Sequence, residues 1–361
     1  MNSRERVLTT INKKQTDRLP IFATLTPQVA EKLSKHLGLK YEEPYDSLLS
    51  TRISHPELLT YLGNDCVGIA ACAPKSKPTI TDSNGIMTNE WGMKFKNAGI
   101  YNEFFAFPLC NAQTVSDIEN YDFPDPFAEG RFDVACQNIE KYKSDFAIVA
   151  DLETCIFETA WYLTGLEKLF TDLMLESEYL EPLLDKIAYI NTETGKELIR
   201  IGADVIWAGD DFGSQQSMIM DPETWRRIFK PRIKKMFEEF RAVNPEIKIA
   251  WHSCGSILEI IPDFIEIGLD ILNPIQPLAK GMNPEYLKKN FGADLSFFGG
   301  IDVQDLMPNG NPQSIKDEVY RRAEILGKGG GYIVAPAHNI QVDTPIENIL
   351  ALFEAVKSFR W

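Results

Sequence analysis

Short apolar runs recur along the chain, separated by longer stretches in which apolar residues return every three or four positions. The runs occupy 19–23, 65–70, 146–151, 203–208, 247–252, 269–273, 295–299 and 331–335. Each is short, β-rich and almost continuously apolar, as a parallel strand reads when both of its faces are covered. The intervening stretches predict helices. Over 222–243, Asp221-Pro222-Glu223 supplies a cap, a first-turn proline and an early acid. Trp225, Ile228, Phe229, Ile233 and Phe237 then fall on one helical face. Residues 257–267, 312–326 and 345–358 follow the same pattern, the last opened by Thr344-Pro345.

Eight strands alternating with helices, without a Gly/Ser-rich linker, predict an α/β fold of one domain over 1–361, a (β/α)8 TIM barrel. A doubly wound open sheet is the alternative, but the first strand–helix step lacks the GxGxxG of dinucleotide folds. The stretch 73–145 is too long for a single crossover, and Trp91-Gly92-Met93-Lys94-Phe95 reads as part of a hairpin. It predicts an insertion between strands two and three, a candidate lid.

In such a barrel the active site forms at the C-terminal strand ends. Here those ends carry Asp151 and Glu153, then Gly209-Asp210-Asp211-Phe212-Gly213-Ser214-Gln215, then His252-Ser253-Cys254-Gly255. Asn273 and Gln276, Asp302, and His338-Asn339 end the last three. Two of the four histidines, His252 and His338, therefore land on the rim. A lone histidine is ordinarily a satisfied polar residue. His252 and Cys254, however, offer an imidazole and a thiol that suit a soft metal such as Zn²⁺, with His338 as candidate third ligand. A helix opening at 256 would favour the thiolate. Asp210 and Asp211 are candidate catalytic groups, for acid/base work, ligation or holding a cation, against a capped turn flanked by Gly209 and Gly213. Gln215, Asn273, Gln276 and Asp302 are candidate substrate contacts. Glu158 reads as part of the following helix, and Trp161, Tyr162 and Trp207 as core or pocket lining. The glycine run around Lys328 precedes a strand, so it reads as a helix cap and turn rather than a phosphate loop.

Composition narrows the partners. Lys+Arg 37 against Asp+Glu 52 gives a net charge of −15, which weighs against nucleic acid, acidic membranes and other polyanions while allowing a local basic pocket. Six cysteines without a CxxC pair read as reduced thiols of a cytoplasmic protein. The charged start, Met1 to Arg6, leads into no apolar run of signal-peptide or membrane-span length.

Several of these stretches together resemble the uroporphyrinogen decarboxylase superfamily. They are Ser3-Arg4-Glu5-Arg6-Val7-Leu8, Asp17-Arg18-Leu19-Pro20, Gly209 to Gln215, Asp221-Pro222-Glu223-Thr224-Trp225 and His252-Ser253-Cys254-Gly255. Leu272 to Gln276, Gly299-Gly300-Ile301-Asp302 and Ala335 to Gln341 continue the pattern over nearly the whole chain. The resemblance implies a (β/α)8 barrel and one of two chemistries. One branch removes carboxylates from uroporphyrinogen, in porphyrin biosynthesis, without a cofactor. The other transfers methyl groups between small molecules and a corrinoid (cobalamin), and its zinc-dependent members carry His-x-Cys followed by a later cysteine.

The chain departs from each pattern. The decarboxylases have an arginine-rich loop after the first strand; here it is Thr24-Leu25-Thr26-Pro27-Gln28-Val29, without arginine. Asp65 is a loose counterpart of their pyrrole-binding aspartate. Cys254 is the last cysteine, and His338 stands where the later one is expected. The resemblance then implies a zinc methyltransferase using His252, Cys254 and His338, with Asp210 or Asp211 handling a proton or orienting substrate. Its substrate would be an ether, thioether or thiol. The corrinoid would ride on a separate protein, because no DxHxxG motif occurs here, and a homodimer is an expected assembly. Porphyrinogen decarboxylation and a non-catalytic ligand-binding barrel are the alternatives.

Overall fold

The computed structural model describes residues 1–48, 50–98 and 102–361, and their side chains except those of Ser50, Asn97 and Glu153. The fold is mixed α/β, built on a seven-stranded parallel sheet. Its members are β1 (Cys66–Ile69), β6 (Ala147–Glu153), β7 (Val205–Gly209), β8 (Lys248–His252), β9 (Ile271–Ile275), β10 (Ser296–Ile301) and β11 (Tyr332–Pro336), hydrogen-bonded in that order. Each matches one predicted apolar run. The run at 19–23 lies between the two outer strands: Phe22 N–H donates to the Val334 carbonyl (3.0 Å) and Asp65 N–H to the Ile21 carbonyl (2.8 Å). Its pairing reduces to an isolated Ile21–Val334 bridge. Pro20 has no N–H to donate, and both backbone groups of Ala23 are taken by the Asn64 side-chain amide (2.9 and 2.8 Å).

The sheet is curled. Phe22 and one or two residues from every parallel strand, among them Cys66, Val149, Trp207, Ala250, Ile271, Phe298 and Ala335, share one buried cluster on its inner face. Alternation along β7 sends Val205 and Trp207 inward, and Ile206 and Ala208 into the larger core beneath the helices. The helix Ser3–Ile11 closes the N-terminal end with Val7 and Ile11. Asp65 belongs to that end. It is fully buried between Arg6 and Arg18 (both 2.8 Å), so the structure removes it from the rim and from any comparison with a pyrrole-binding aspartate.

Between β1 and β6 the chain forms a second, antiparallel sheet of β2 (Ile80–Thr81), β3 (Met87–Thr88), β4 (Lys94–Asn97) and β5 (Asn102–Ala106). β3 and β4 flank Trp91 as the predicted hairpin. Phe104 of this sheet stacks on Tyr162 at 4.2 Å.

Three predicted helices are shorter than their periodicity implied. The stretch 222–243 divides into Pro222–Ile228 and Lys230–Val243 at Pro231, whose ring cannot continue a helix from the preceding turn. Pro262 likewise leaves a 3₁₀ turn at Leu258–Ile260 and an α-helix only from Ile261 to Glu266. The α-helix starting at Pro312 ends at Arg322 and passes into a π turn. No helix among the described residues is long and apolar enough to cross a membrane.

Candidate metal centre

Register places the central residues side by side. In the parallel ladders Gly209 stands opposite His252, and His252 opposite Asn273. Gly209 is required there, since a Cβ would lie 2.6 Å from both the Cβ and the carbonyl oxygen of His252.

The loops after β7 and β8 are stitched together by hydrogen bonds. Asp210 N–H donates to the His252 carbonyl (3.1 Å) and Phe212 N–H to Ser253 Oγ (2.9 Å). Cys254 N–H donates to Asp211 Oδ1 (2.7 Å) and Ser256 N–H to the Ser214 carbonyl (2.7 Å). The loops touch where Gly213 meets Gly255; Gly255 has φ +79°, and a Cβ on it would sit 2.4 Å from the Gly213 carbonyl carbon.

This packing brings three donor atoms together. His252 Nε2 lies 3.3 Å from Cys254 Sγ and 3.4 Å from Asp211 Oδ1, and one ligand atom from each residue falls within 4.8 Å of the others. Zinc bonds of about 2.0–2.3 Å at tetrahedral angles separate ligand atoms by roughly 3.3–3.8 Å. The nitrogen, sulfur and oxygen set therefore fits zinc in its chemistry, and the two separations from His252 Nε2 match zinc-ligand spacing. The Cys254 amide and the neighbouring His252 hold the Asp211 carboxyl below the ordinary carboxylate range, against the cost of its burial.

His252 is oriented from behind. Asn273 Nδ2 donates to the Phe298 carbonyl (3.0 Å), which turns Asn273 Oδ1 toward His252 Nδ1 at 2.6 Å. Nδ1 then carries the proton, and the Nε2 lone pair faces Cys254 and Asp211. Asn273, predicted as a substrate contact, is 3% exposed and acts on His252.

The remaining predicted residues divide. Asp210 is fully buried, and its carboxylate accepts from the amides of Cys155 (3.2 Å), Ile156 (2.9 Å) and Glu158 (2.9 Å), which hold the turn leading into the helix Phe157–Thr164. Burial pushes its pKa up to about 7 against those amides. Glu158, on that helix as predicted, accepts from Asp211 N–H (3.1 Å). Gln276 Oε1 accepts from Gly255 N–H (2.9 Å) and from Gln215 Nε2 (3.2 Å), so the two glutamines brace the Cys254 loop. Asp302 accepts from the amides of Gln304, Asp305 and Leu306 within its own turn. The Glu153 side chain lies outside the described residues. Cys254 is followed by an irregular turn, and the nearest α-helix begins at Ile261, so the expected helix-terminus effect on its thiol has no structural basis.

His338 lines the same cleft as His252 but is not among the three converging groups. Burial, with Arg52 and His252 nearby, pushes its pKa down to about 4 and keeps the imidazole neutral. The cleft is narrow, with a free volume of about 10 Å³, and its aromatic wall is Phe22, Trp207 and Phe298, with Trp207 and Phe298 ring centres 5.1 Å apart.

The uroporphyrinogen decarboxylase (URO-D) family profile matches residues 107–359. This chain belongs to that family. Among relatives of this chain, the methylated-thiol–coenzyme M methyltransferase of Methanosarcina mazei is 27% identical over 258 residues, which are 69% of this chain and 65% of that protein. The match thus spans less than two thirds of that relative's length. The methylcobamide:CoM methyltransferase MtaA of Methanosarcina barkeri is 22% identical over 97% of this chain and 96% of its own. A solved methyltransferase structure from Methanosarcina mazei superposes with a TM-score of 0.73 at 20% identity, covering 99% of both chains, and so shares the fold.

Two features of this region were not legible from spacing. Asp211 joins His252 and Cys254 because the β7 and β8 loops interlock. Arg52, from the short helix Ser50–Ile53, stacks over Trp207 at 4.3 Å. Sequence offered no signal for Arg52 beyond its being a lone arginine in an otherwise apolar and hydroxylic stretch.

Proposed function

We propose that this protein is a zinc-dependent methyltransferase that moves a methyl group between a small-molecule heteroatom (thiol, thioether or ether) and a corrinoid carried by a separate protein. The observation that carries this reading is the convergence of one ligand atom each from His252, Cys254 and Asp211 within 4.8 Å of one another, with His252 Nε2 at 3.3 and 3.4 Å from the other two. Asp211 rather than His338 is the third ligand in this reading. Bound there, zinc would polarise the heteroatom that gains or loses the methyl group. The names of the methyltransferase relatives support the same chemistry.

The chain's own residues do the positioning. Asn273 fixes the His252 tautomer, and Glu158 and the Cys254 amide hold Asp211 from its two sides. Asp210 anchors the turn from which Glu158 projects, a positioning role rather than proton transfer. Gln215 and Gln276 steady the loop carrying Cys254. Phe22, Trp207 and Phe298 exclude water from one wall of the cleft. His338, neutral beside it, is suited to hydrogen-bond the substrate.

The same reading takes the run at 19–23 as the eighth member of a closed (β/α)8 barrel, 1–361 as one domain and 73–145 as an insertion. A cytoplasmic protein and a homodimer complete it. Elemental analysis tests the core of the proposal: one zinc per chain is expected, falling sharply in C254S and H252A. Protein that neither contains zinc nor takes it up would end this mechanism. Methyl transfer from methylcobalamin to a panel of thiols, run beside uroporphyrinogen decarboxylation followed by chromatography, separates the two family chemistries.

A further inference from the structure

The helix Phe157–Thr164 meets the metal centre at one end and the second sheet, β2–β5, at the other. Its eight residues span roughly 12 Å at about 1.5 Å per residue. The first turn is held by Asp210, whose carboxylate accepts from the Ile156 and Glu158 amides (2.9 Å each). The last turn is held by the chain that leaves the second sheet: Leu109 N–H donates to the Leu163 carbonyl (2.7 Å). Gly165, at φ +90°, lets the Phe107 ring lie against the helix end, since a Cβ there would stand 3.3 Å from that ring.

Side chains connect the two ends. Glu158 and Tyr162 are one helical turn apart and share a face. The Tyr162 hydroxyl donates to Glu158 Oε1 (3.3 Å), and Glu158 Oε2 accepts from Asp211 N–H (3.1 Å). Asp211 in turn faces His252 Nε2 at 3.4 Å and accepts from Cys254 N–H at 2.7 Å. On the other side, Phe104 of β5 stacks on Tyr162, with 4.2 Å between ring centres and 17° between planes, and meets Trp161 edge-on at 6.3 Å. Phe95, its cross-strand partner on β4, backs it at 5.2 Å. Offset-stacked and edge-on contacts are the attractive ones for aromatic rings, so Phe104 fixes the Tyr162 ring in position and tilt. The terminal torsion of a glutamate is broad, and a bond at each oxygen is what fixes Glu158 against the Asp211 amide.

We infer that Tyr162 is a positioning residue for Asp211, acting through Glu158, and that the second sheet clamps Tyr162 through Phe104. The insertion is thus a working part of the metal site and not only a cover beside the barrel. Without the hydroxyl or the stack, Glu158 gains rotational freedom and the Asp211 amide loses its fixed acceptor. Asp211 Oδ1 then drifts from the place where it meets His252 and Cys254. The inference rests on the metal-site reading for what Asp211 does, but the relay from Phe104 to the Asp211 amide does not depend on zinc.

Two measurements on the full chain test it: zinc affinity by chelator competition, and hydrogen exchange of the metal-free protein resolved to the peptides around Asp211 and Cys254. Losing a contact that orients a metal ligand typically weakens a site by about 10–100-fold, and Tyr162 acts one contact further out, so Y162F should weaken zinc binding by roughly three- to tenfold. F104L, which keeps apolar bulk without the stack, should do the same, and F104Y, which keeps the ring, should stay close to wild type. Y162F and F104L should both speed exchange around Asp211 and Cys254 in protein without metal. On an E158A background Y162F should have no further effect on zinc, because members of one network are not additive. Unchanged exchange in Y162F and F104L, wild-type affinity in both where zinc binds, or additive effects of Y162F and E158A overturns the inference. If wild-type protein takes up no zinc but the exchange depends on Tyr162 and Phe104, the relay stands and the metal reading falls. If zinc binds and neither quantity responds, the inference alone falls. Y162F keeps the ring and its packing, and covers the case in which F104L does not fold.

Discussion

Replacing Asn273 by alanine probes the proposed metal site without touching a ligand. Asn273 and His252 are 3% and 2% exposed, and their contact is 2.6 Å. In N273A the Nδ1 proton of His252 loses its acceptor in a place that water reaches poorly. An unsatisfied buried donor costs about 1–3 kcal/mol of folding stability. The ring is also freed to rotate or to change tautomer, which takes the Nε2 lone pair off the line to Cys254 and Asp211. Loss of such an outer contact typically weakens a metal site by about 10–100-fold, or roughly 1.4–2.8 kcal/mol. N273D is the informative companion. It restores an acceptor for Nδ1–H but turns an oxygen toward the Phe298 carbonyl, where Nδ2 donated at 3.0 Å. It should recover zinc affinity better than it recovers stability. Competition against a chromogenic chelator reads the first quantity, and urea denaturation of the metal-free protein reads the second. Wild-type zinc affinity in N273A would refute the orientation argument, whatever the change in stability.

The third ligand is tested by a pair of variants: D211A should lose most zinc, while H338A keeps wild-type stoichiometry, and the reverse pattern would move the site to His338. G255A combines a φ of +79° with a 2.4 Å approach to Gly213, so it should destabilise the protein by about 1–3 kcal/mol and lower zinc occupancy by separating the two loops. A G255A protein with unchanged melting temperature and full zinc would show that the loop contact is not needed. At the N-terminal end, the Arg6 hydrogen bond (2.7 Å) holds the Asp17 carboxyl down to about 2. That folded pKa lies below the unfolded value of about 3.9, so the stabilisation is complete above it and disappears as pH falls toward about 2. Asp17 is half exposed, which keeps the effect modest. Urea midpoints should fall less steeply over that window in D17N than in wild type, and identical slopes would contradict the assignment.

What the sequence by itself determined is local or depends on periodicity. Continuous apolar runs located all seven parallel strands, because strands covered on both faces admit few polar residues. His252 and Cys254 were legible as a pair because two residues at a strand end are neighbours in any fold that ends the strand there. The run at 19–23 was recognisable as apolar. That its pairing is completed by the Asn64 side chain depends on a residue some forty positions away. Helix ends were read less well where Pro231 and Pro262 divide amphipathic stretches, since the apolar period continues across the break. The roles of the polar residues were decided by tertiary structure alone. Asp210 and Asp211 are consecutive, yet one is locked to three amides of another loop while the other faces the histidine and cysteine. Asn273, Gln276 and Asp302 read as substrate contacts because they end strands; their actual partners are a histidine ring, a glycine amide and their own turn. Arg52 enters the cleft only because Gly68 lets its helix dock. Composition and spacing establish which chemistries a chain carries, whereas the register of neighbouring strands and the close contact of their loops establish which groups meet.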